Sequence, residues 1–401
     1  MGWMLRTILT ISGVALPVYL YVGLRVASSV GLLRPAAKRR AKWCILGAIA
    51  WCFLVPVTAL VLYLLKVQSA LFLPGRPVGL LDYLFYYPSW VSLIIVVEVL
   101  PLFLLLDLIA LGSRLIPSRR ELVRKFLAWA RVGLAAVAVL YVPIRSATDT
   151  LHVRDSVARV TLPGLPSEFD GLRITLFGDV HVDRYTEESK IGQFRRIVEQ
   201  EGPNLLVSSG DLVSSGTGYL EKAKAAICGL KGSITTIGVM GDHDFWAGPD
   251  QVREIQLDCG WTFLQDEHRL IPYRGRTICL SGLTNIYARR LDAARLDSFL
   301  AAAPEADLHI LLTHQPANRV IQAAITHRYD LLLAGHTHGG QIVFHPLGIT
   351  LTPSMGETRY FTGVHREGPT TVVVTNGVGI SIAPLRYHAP AEVTTIIVNK
   401  P

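Results

Sequence analysis

Apolar residues follow two different patterns along the chain, and the pattern changes near residue 148. Before that point, four apolar stretches each have close to the roughly 20 residues that a membrane-spanning helix needs; they cover 7–31, 43–65, 91–113 and 126–144. The fourth stretch is short and has Arg131 near its start, so a buried soluble helix is the alternative for it. The pattern predicts that residues 1–147 form a membrane domain of about four transmembrane helices.

Residues 148–401 instead show short aliphatic runs that alternate with amphipathic stretches. The runs have the length and the β-branched content of strands, and they cover 172–178, 204–209, 234–240, 276–281, 308–313, 330–334, 370–375 and 393–398. Helices are predicted over 187–201, 218–229, 249–258, 289–302 and 316–327. This alternation predicts an α/β layer fold for a second domain. The segment 358–369 is expected to be a loop.

Basic residues are concentrated in the first part of the chain. The whole chain has a formal net charge of +8, but residues 1–147 carry 16 Lys and Arg against four Asp and Glu, whereas the remainder carries 23 against 27. The basic excess therefore lies beside the apolar stretches, where membrane topology accounts for it. The second part has no basic stripe interleaved with aromatic residues, so no nucleic-acid binding is expected.

The short loops between the apolar stretches predict the orientation in the membrane. The first loop contains five basic residues and no acid, namely Arg34, Lys38, Arg39, Arg40 and Lys42. The third contains five basic residues and one acid, namely Arg114, Arg119, Arg120, Arg124, Lys125 and Glu121, whereas the second contains only Lys66, Arg76 and Asp82. The positive-inside rule places the first and third loops in the cytoplasm. We therefore expect a multi-pass protein of the cell membrane, in contact with bilayer lipid, whose second domain is extracytoplasmic.

Two acidic residues, Glu98 and Asp107, fall inside the third apolar stretch. Acids within a membrane are costly and often functional. They keep open the alternative of a metal-binding membrane transporter or sensor with a non-catalytic extracytoplasmic domain. Pairing of either acid with a neighbouring helix is the structural interpretation.

The five cysteines show no pattern of their own. Cys44 and Cys52 lie in an apolar stretch, and Cys228, Cys259 and Cys279 are scattered without a C-x-x-C pair. We therefore expect neither a disulfide framework nor a cysteine metal site.

Five of the predicted strands end in Asp or His. The residues that follow them are Asp179, His181, Asp211, Asp242, His243, Asp244, His314, His336 and His338. Ligands of α/β sheets bind at the carboxyl ends of strands, and residues i and i+2 of an extended segment point to the same side. Mixed carboxylate and imidazole ligands suit manganese, iron or zinc. The set predicts a metal site at one sheet edge, and two divalent ions fit the number of ligands better than one.

The series D-x-H, G-D, G-D-H-D, H and G-H-x-H resembles the motifs of the calcineurin-like metallophosphoesterases over roughly 170–400. The extension GHTHGGQIVFHPLG and the ending NGVGISIAPLRYHAPAEVTTI resemble a membrane-anchored bacterial branch, described as phosphodiesterases that act on lipid or cell-envelope substrates. The resemblance implies a fold of two packed mixed β-sheets flanked by helices. It also implies a metal-dependent phosphoric ester hydrolase, in which a hydroxide between two metals attacks phosphodiesters or lipid-linked phosphates.

The resemblance also implies a role for each residue of the series. The first metal would be held by Asp179, His181 and His338, the second by Asp242, His314 and His336, and Asp211 would bridge the two. His243 would contact the phosphate and protonate the leaving oxygen, with Asp244 or another acid orienting it.

One member of the series departs from the family pattern, since Asp242 stands where the family usually has Asn. The added charge is expected to hold the metal more tightly and to weaken its Lewis acidity. Outside the series, Arg386 could contact phosphate, because Arg matches phosphate geometry, or could have a packing role. Trp246 could line a substrate groove or fill the core.

Overall fold

The structure is a computed structural model that describes residues 3–66, 77–115 and 117–400. Contacts between Cα atoms divide the chain into two compact units. The first contains 1–147 and 344–351, and the second contains 148–343 and 352–401. Arg76, which the topology prediction uses, lies outside the described residues.

The first unit is built from apolar helices, as predicted. They are α1 (Trp3–Leu33), α2 (Lys38–Cys52), α3 (Leu54–Leu64), α4 (Tyr87–Gly112) and α5 (Arg120–Leu151). Within the described residues, three helical segments are long and apolar enough to cross a membrane, 6–33, 82–115 and 120–151. About four spanning helices were predicted, and the three or four that the described residues contain fit a membrane domain.

The second predicted span is broken rather than continuous. The helices α2 and α3 are bent by 45° at their junction and would make a fourth span only if they are taken together. Pro56 lies early in α3, where its ring conflicts with the carbonyl of Cys52 four residues before it. The Ser89 hydroxyl donates a hydrogen bond of 2.8 Å to that carbonyl. A neighbouring helix thus satisfies the backbone group that proline leaves exposed.

Asp107 in α4 is bonded to both of the other long helices. Its carboxylate pairs with Arg25 of α1 and, at 2.6 Å, with Arg131 of α5. It also accepts a hydrogen bond of 2.8 Å from the Tyr21 hydroxyl. These contacts favour the structural interpretation of Asp107. The pairing with Asp107 also explains how the charged Arg131 is accommodated in the apolar helix α5.

The second unit contains six helices and twelve strands among its described residues. The helices are α6 (Glu188–Glu201), α7 (Leu220–Ile227), α8 (Asp242–Ala247), α9 (Pro249–Asp258), α10 (Ala293–Ala301) and α11 (Asn318–Thr326). The strands are β1 (Arg154–Thr161), β2 (Arg173–Phe177), β3 (Leu205–Ser208), β4 (Thr235–Gly238), β5 (Thr262–Phe263), β6 (Glu267–Tyr273), β7 (Arg276–Leu283), β8 (Leu308–Thr313), β9 (Leu331–Ala334), β10 (Gly363–Glu367), β11 (Thr370–Val374) and β12 (Glu392–Asn399).

The strands form two mixed six-stranded sheets, in the orders β1-β12-β2-β3-β4-β5 and β10-β11-β9-β8-β7-β6. One buried cluster joins residues of both sheets, for example Leu205 and Val207 from the first with Ile278 and Ile310 from the second. The intervening residue of β3, Leu206, faces the other way and packs with residues of α6, α7 and α9. A third cluster joins the second sheet to α10 and α11. The predicted α/β fold of two mixed sheets flanked by helices is confirmed.

The structure corrects two details of the sequence analysis. The segment 358–369, expected to be a loop, contains β10, which pairs antiparallel with β11 at the edge of the second sheet. Its side chains are largely exposed, so it lacks the apolar signal of a buried strand. The expectation of no disulfide is also wrong, because Cys228 and Cys259 are bonded with their Cα atoms 4.8 Å apart. Packing of α7 beside α9 brings together two cysteines that are 31 positions apart.

Candidate metal centre

The predicted ligands follow the carboxyl ends of five strands, three in one sheet and two in the other. In the first sheet, β2, β3 and β4 are neighbours and lead to Asp179, Asp211 and Asp242. In the second sheet, β8 and β9 are neighbours and lead to His314 and His336. All of the predicted ligands therefore lie just beyond the carboxyl ends of these five strands. Their side chains are buried or half-buried.

The backbone at these positions is strained. Five of the seven predicted ligands have φ between 46° and 71°, namely Asp179, His181, Asp211, His336 and His338. This conformation is uncommon for residues with a Cβ, and it tends to cluster at functional sites. A neighbouring glycine permits the close approach in one case, because a Cβ at Gly241 would lie 2.1 Å from Asp211 Oδ1.

The first group of ligands consists of Asp179, His181 and His338. The Nε2 atoms of the two imidazoles face each other at 3.1 Å. His338 Nε2 lies 3.7 Å from Asp179 Oδ1. One nitrogen or oxygen atom from each residue therefore points into one small volume, as ligands of a single cation would.

The second group consists of Asp242, His314 and His336. Asp242 Oδ2 lies 3.2 Å from His336 Nδ1 and 3.5 Å from His314 Nε2. The two imidazole nitrogens are 3.2 Å apart. The other nitrogen of His314, Nδ1, is 2.9 Å from the Ser209 carbonyl, so a proton there leaves Nε2 available as a ligand.

Asp211 lies between the two groups. Its Oδ2 atom is 3.5 Å from His181 Nε2 in the first group and 3.3 Å from His314 Nε2 in the second. The carboxylate is buried, and its other oxygen accepts a 2.8 Å hydrogen bond from the backbone N–H of His243. One carboxylate thus reaches both groups, which is the geometry that a bridging ligand needs.

The electrostatics of the site fit bound cations. Burial lowers the pKa of His181 and of His338 well below the usual value, so both rings are neutral, as metal ligands must be. Burial also raises the pKa of Asp179 to about 6. At His314 the carboxylates of Asp211 and Asp242 outweigh burial and hold the pKa well above its usual value. The two carboxylates thus favour a positive charge beside them, which the protonated imidazole of His314 carries here. A bound divalent metal would supply that charge in place of the imidazole proton.

Two residues outside the predicted set support the second group. His336 Nε2 lies 3.2 Å from Glu357 Oε2, and the Tyr287 hydroxyl donates to the same oxygen at 2.7 Å. The backbone N–H of Tyr287 donates to Asp242 Oδ1 at 2.5 Å. Neither Glu357 nor Tyr287 follows a predicted strand with a metal-ligand motif, so only the tertiary structure identifies them.

His243 and Asp244 follow directly after the ligand Asp242, and their hydrogen bonds go to different partners. His243 Nδ1 is 2.5 Å from the Ser214 carbonyl, and Nε2 faces Ser381 Oγ at 3.4 Å. Asp244 instead accepts hydrogen bonds of 2.7 Å from the backbone N–H groups of Asp211 and Leu212. Among the described residues, the hydrogen bonds of Asp244 therefore go to the backbone rather than to His243, and the role of His243 toward phosphate stays a prediction. Asp244 holds the loop that carries Asp211, because a buried carboxylate there caps successive backbone donors.

The structure also resolves the alternatives for Arg386 and Trp246. Arg386 is fully buried, and its guanidinium donates to main-chain carbonyls, so a packing role rather than a phosphate contact describes it. Trp246 is 56% exposed and therefore does not fill the core. Its ring centroid lies 5.1 Å from that of His243.

Part of the chain is similar to known proteins. The family model described as calcineurin-like phosphoesterase matches residues 172–340. A transmembrane protein with metallophosphoesterase domain from Danio rerio is 29% identical over 59% of this chain and 55% of its own length. An uncharacterized metallophosphoesterase of Helicobacter pylori is 28% identical over 55% of this chain and 58% of its own length. The chain thus spans a little over half the length of these relatives.

Among solved structures, a 5'-nucleotidase from Candida albicans aligns with a TM-score of 0.34 at 13% identity, covering 54% of this chain and 47% of that chain. The region matched by the family model, 172–340, contains every one of the seven predicted ligands. The chain therefore carries, in residues 172–340, a domain that matches the calcineurin-like phosphoesterase family.

Proposed function

We propose that the chain is a membrane-anchored phosphoesterase that uses two divalent metal ions, manganese, iron or zinc, to hydrolyse phosphodiesters or lipid-linked phosphates of the cell envelope. Residues 1–147 serve as the membrane domain and 148–401 as the catalytic domain. The observation that carries the proposal is the position of Asp211, whose Oδ2 atom lies within 3.5 Å of a histidine nitrogen in each ligand group. When bound, two such ions supply Lewis acidity toward phosphoryl oxygens and make water nucleophilic near neutral pH.

The predicted ligands form two groups, one for each of the two ions. The first ion would be held by Asp179, His181 and His338, the second by Asp242, His314 and His336, and Asp211 is placed to reach both groups. The buried carboxylates and imidazoles of these residues would fix the positions of bound ions before substrate arrives. Such prearranged charge stabilises the transition state without reorganisation during the reaction.

His243 is the residue placed to handle the proton of the leaving group. With a proton on Nδ1 directed at the Ser214 carbonyl, the Nε2 atom faces Ser381, and one ring nitrogen of His243 lies close to ligand atoms of His181 and Asp211. His243 is only half-buried, so substrate can approach it. In the protonated ring, Nε2–H contacts a phosphoryl oxygen and then donates its proton to the departing oxygen.

The surroundings of the site favour a substrate with apolar parts. Phe245 and Trp246 are exposed next to His243, and Tyr287, which is 45% exposed, lies with its ring 5.4 Å from that of His336. Ile382 is 63% exposed and has φ of 63°, a strained conformation for a β-branched residue next to Ser381. Exposed apolar side chains grouped beside polar chemistry indicate a ligand surface. A lipid-linked phosphoester presents both parts to such a site.

Two independent features support an extracytoplasmic catalytic domain. The basic loops favour an external C-terminal part by the positive-inside rule, provided that α2 and α3 together make one span. The disulfide between Cys228 and Cys259 belongs to the catalytic unit, and disulfides persist in oxidising compartments. A reporter fused after Pro401 tests this placement, and a cytoplasmic signal from it would refute it.

Hydrolysis is tested with the purified full chain in detergent, loaded with manganese. The panel contains p-nitrophenyl phosphate, bis-p-nitrophenyl phosphate and phospholipids in mixed micelles. We expect hydrolysis of a diester, and its loss by at least 100-fold in His338→Ala, with Asp297→Asn, which changes an exposed side chain of α10, as the control. Failure of the wild-type chain on every member of the panel, at full metal occupancy, would refute the proposal.

A further inference from the structure

The buried guanidinium of Arg386 binds the backbone around one of the two ligand groups. Its nitrogens donate to the carbonyls of His338 (3.0 Å), Gly379 (2.8 Å) and Asn376 (2.7 Å). Its Nη2 atom also lies 3.3 Å from His338 Nδ1. The side chain is completely buried, so these contacts are made away from solvent. Arg386 therefore contacts both the main chain and the ring of His338.

The guanidinium of Arg386 is also linked to Asp179, through the backbone of Gly379. The N–H of Gly379 donates to the Asp179 carbonyl at 2.5 Å, while the carbonyl of Gly379 accepts from Arg386 Nε. Both Asp179 and His338 have positive φ, a conformation that persists only when surrounding contacts impose it. Arg386 thus supports two of the three residues of the first group. Among the described residues, the Arg386 side chain makes no hydrogen bond to a residue of the second group.

The segment that carries Arg386 is held in turn by the last turn of α5, which belongs to the catalytic unit. The Thr150 hydroxyl accepts a 2.8 Å hydrogen bond from the backbone N–H of Arg386. Asp149 is fully buried, and its Oδ2 accepts from the N–H of His388 at 2.8 Å. Its carbonyl accepts from the N–H of Ala391 at 3.0 Å. These bonds secure the segment at its beginning, its middle and its end.

We infer that Asp149, Thr150 and Arg386 are positioning residues for the first metal ion, so that the end of the last spanning helix is part of the metal centre. Loosening of this turn releases the segment 386–391, and with it the guanidinium that binds the carbonyls of His338 and Gly379 and so supports the strained conformation of His338 and Asp179. The affinity for the first ion falls, whereas the second ion, held from β4, β8 and β9, keeps its affinity. The inference rests on the proposed function only in requiring that the site binds metal.

The test is manganese binding to the full chain in detergent, followed by electron paramagnetic resonance and by elemental analysis. Thr150→Val removes one acceptor with little change in volume, and Arg386→Lys removes the fork of donors. A net hydrogen bond of about 0.5–1.5 kcal/mol corresponds to a roughly 2- to 13-fold change in affinity. We expect a loss in that range for Thr150→Val and a loss of at least tenfold for Arg386→Lys, for one of the two ions only.

Two controls separate positioning from general damage to the fold. Thr326→Val alters a helical threonine whose hydroxyl bonds its own helix at Gln322, and it should leave both affinities unchanged. Added manganese should restore the turnover of Thr150→Val, which it would not do for an unfolded chain. Equal weakening of both ions, or unchanged binding in Thr150→Val with an intact thermal midpoint, would overturn the inference. A wild-type chain that binds two ions but hydrolyses nothing refutes the proposed function and leaves this test valid.

Discussion

Replacement of Asp242 by asparagine, the residue usual in the family, is expected to weaken metal binding in this chain. Both oxygens of the Asp242 carboxylate accept hydrogen bonds, Oδ1 from the Tyr287 backbone N–H at 2.5 Å and Oδ2 from Gln315 Nε2 at 2.7 Å. Oδ2 also faces the nitrogens of His336 and His314. An amide has only one acceptor oxygen. If the amide oxygen faces the metal, the amide NH2 group lies opposite the backbone N–H of Tyr287, and two donors face each other. If the amide oxygen faces Tyr287 instead, the metal loses a ligand.

The hydrogen bonds set the size of the effect. A hydrogen bond to a charged group contributes about 1.5–3 kcal/mol, and about 1.4 kcal/mol is a factor of ten in affinity. We therefore expect Asp242→Asn to bind one of the two ions roughly 10- to 150-fold more weakly, with the other ion little affected. Isothermal titration of the metal-free full chain in detergent with manganese measures both affinities.

A matched substitution controls for the loss of one negative charge. Asp297→Asn removes an exposed acid that pairs with His327, and neither residue is among the predicted ligands. It should bind both ions as the wild type does. The reasoning would be refuted if Asp242→Asn bound both ions with affinities within twofold of the wild type, because the carboxylate bonds would then not matter to the site.

Three further predictions concern stability. Loss of the disulfide in a Cys228→Ser, Cys259→Ser chain should cost about 3–4 kcal/mol, as expected for a 31-residue separation, and a thermal midpoint equal to the wild type would contradict this. Ile310→Ala, in the fully buried cluster between the sheets, should cost about 2–5 kcal/mol in denaturant unfolding, and a cost below 1 kcal/mol would show that the cluster collapses around it. Burial lowers the pKa of Lys190 to about 7 from 10.5, so the unfolded chain binds the extra proton between those values and stability should rise with pH from 7 toward 10. Lys190→Met should flatten that rise and stabilise the protein at pH 7, and an unchanged pH profile would exclude this lysine as its source.

The amino-acid sequence determines the kinds of element and the chemistry of the site. Aliphatic runs of strand length predict the strands that are buried, because burial requires a continuous apolar signal. The edge strands β1 and β10 lack that signal, since their side chains are largely exposed, and sequence patterning missed both. Asp or His directly after five buried strands is enough to predict a metal site, because parallel strands deliver their carboxyl ends to one edge.

The tertiary structure decides which distant residues meet. Cys228 and Cys259 are bonded because two helices pack together, and no spacing rule predicts that. Glu357 and Thr150 contribute to the site through contacts with residues 21 and 236 positions away, so short sequence motifs do not reveal them. The sequence leaves Arg386 as a candidate phosphate contact, whereas the structure shows it buried and bonded to the His338 carbonyl. Its burial depends on the fold of the surrounding loops, which the local sequence does not specify. Local patterning therefore specifies the elements and the ligands, whereas long-range packing specifies what holds the ligands in place.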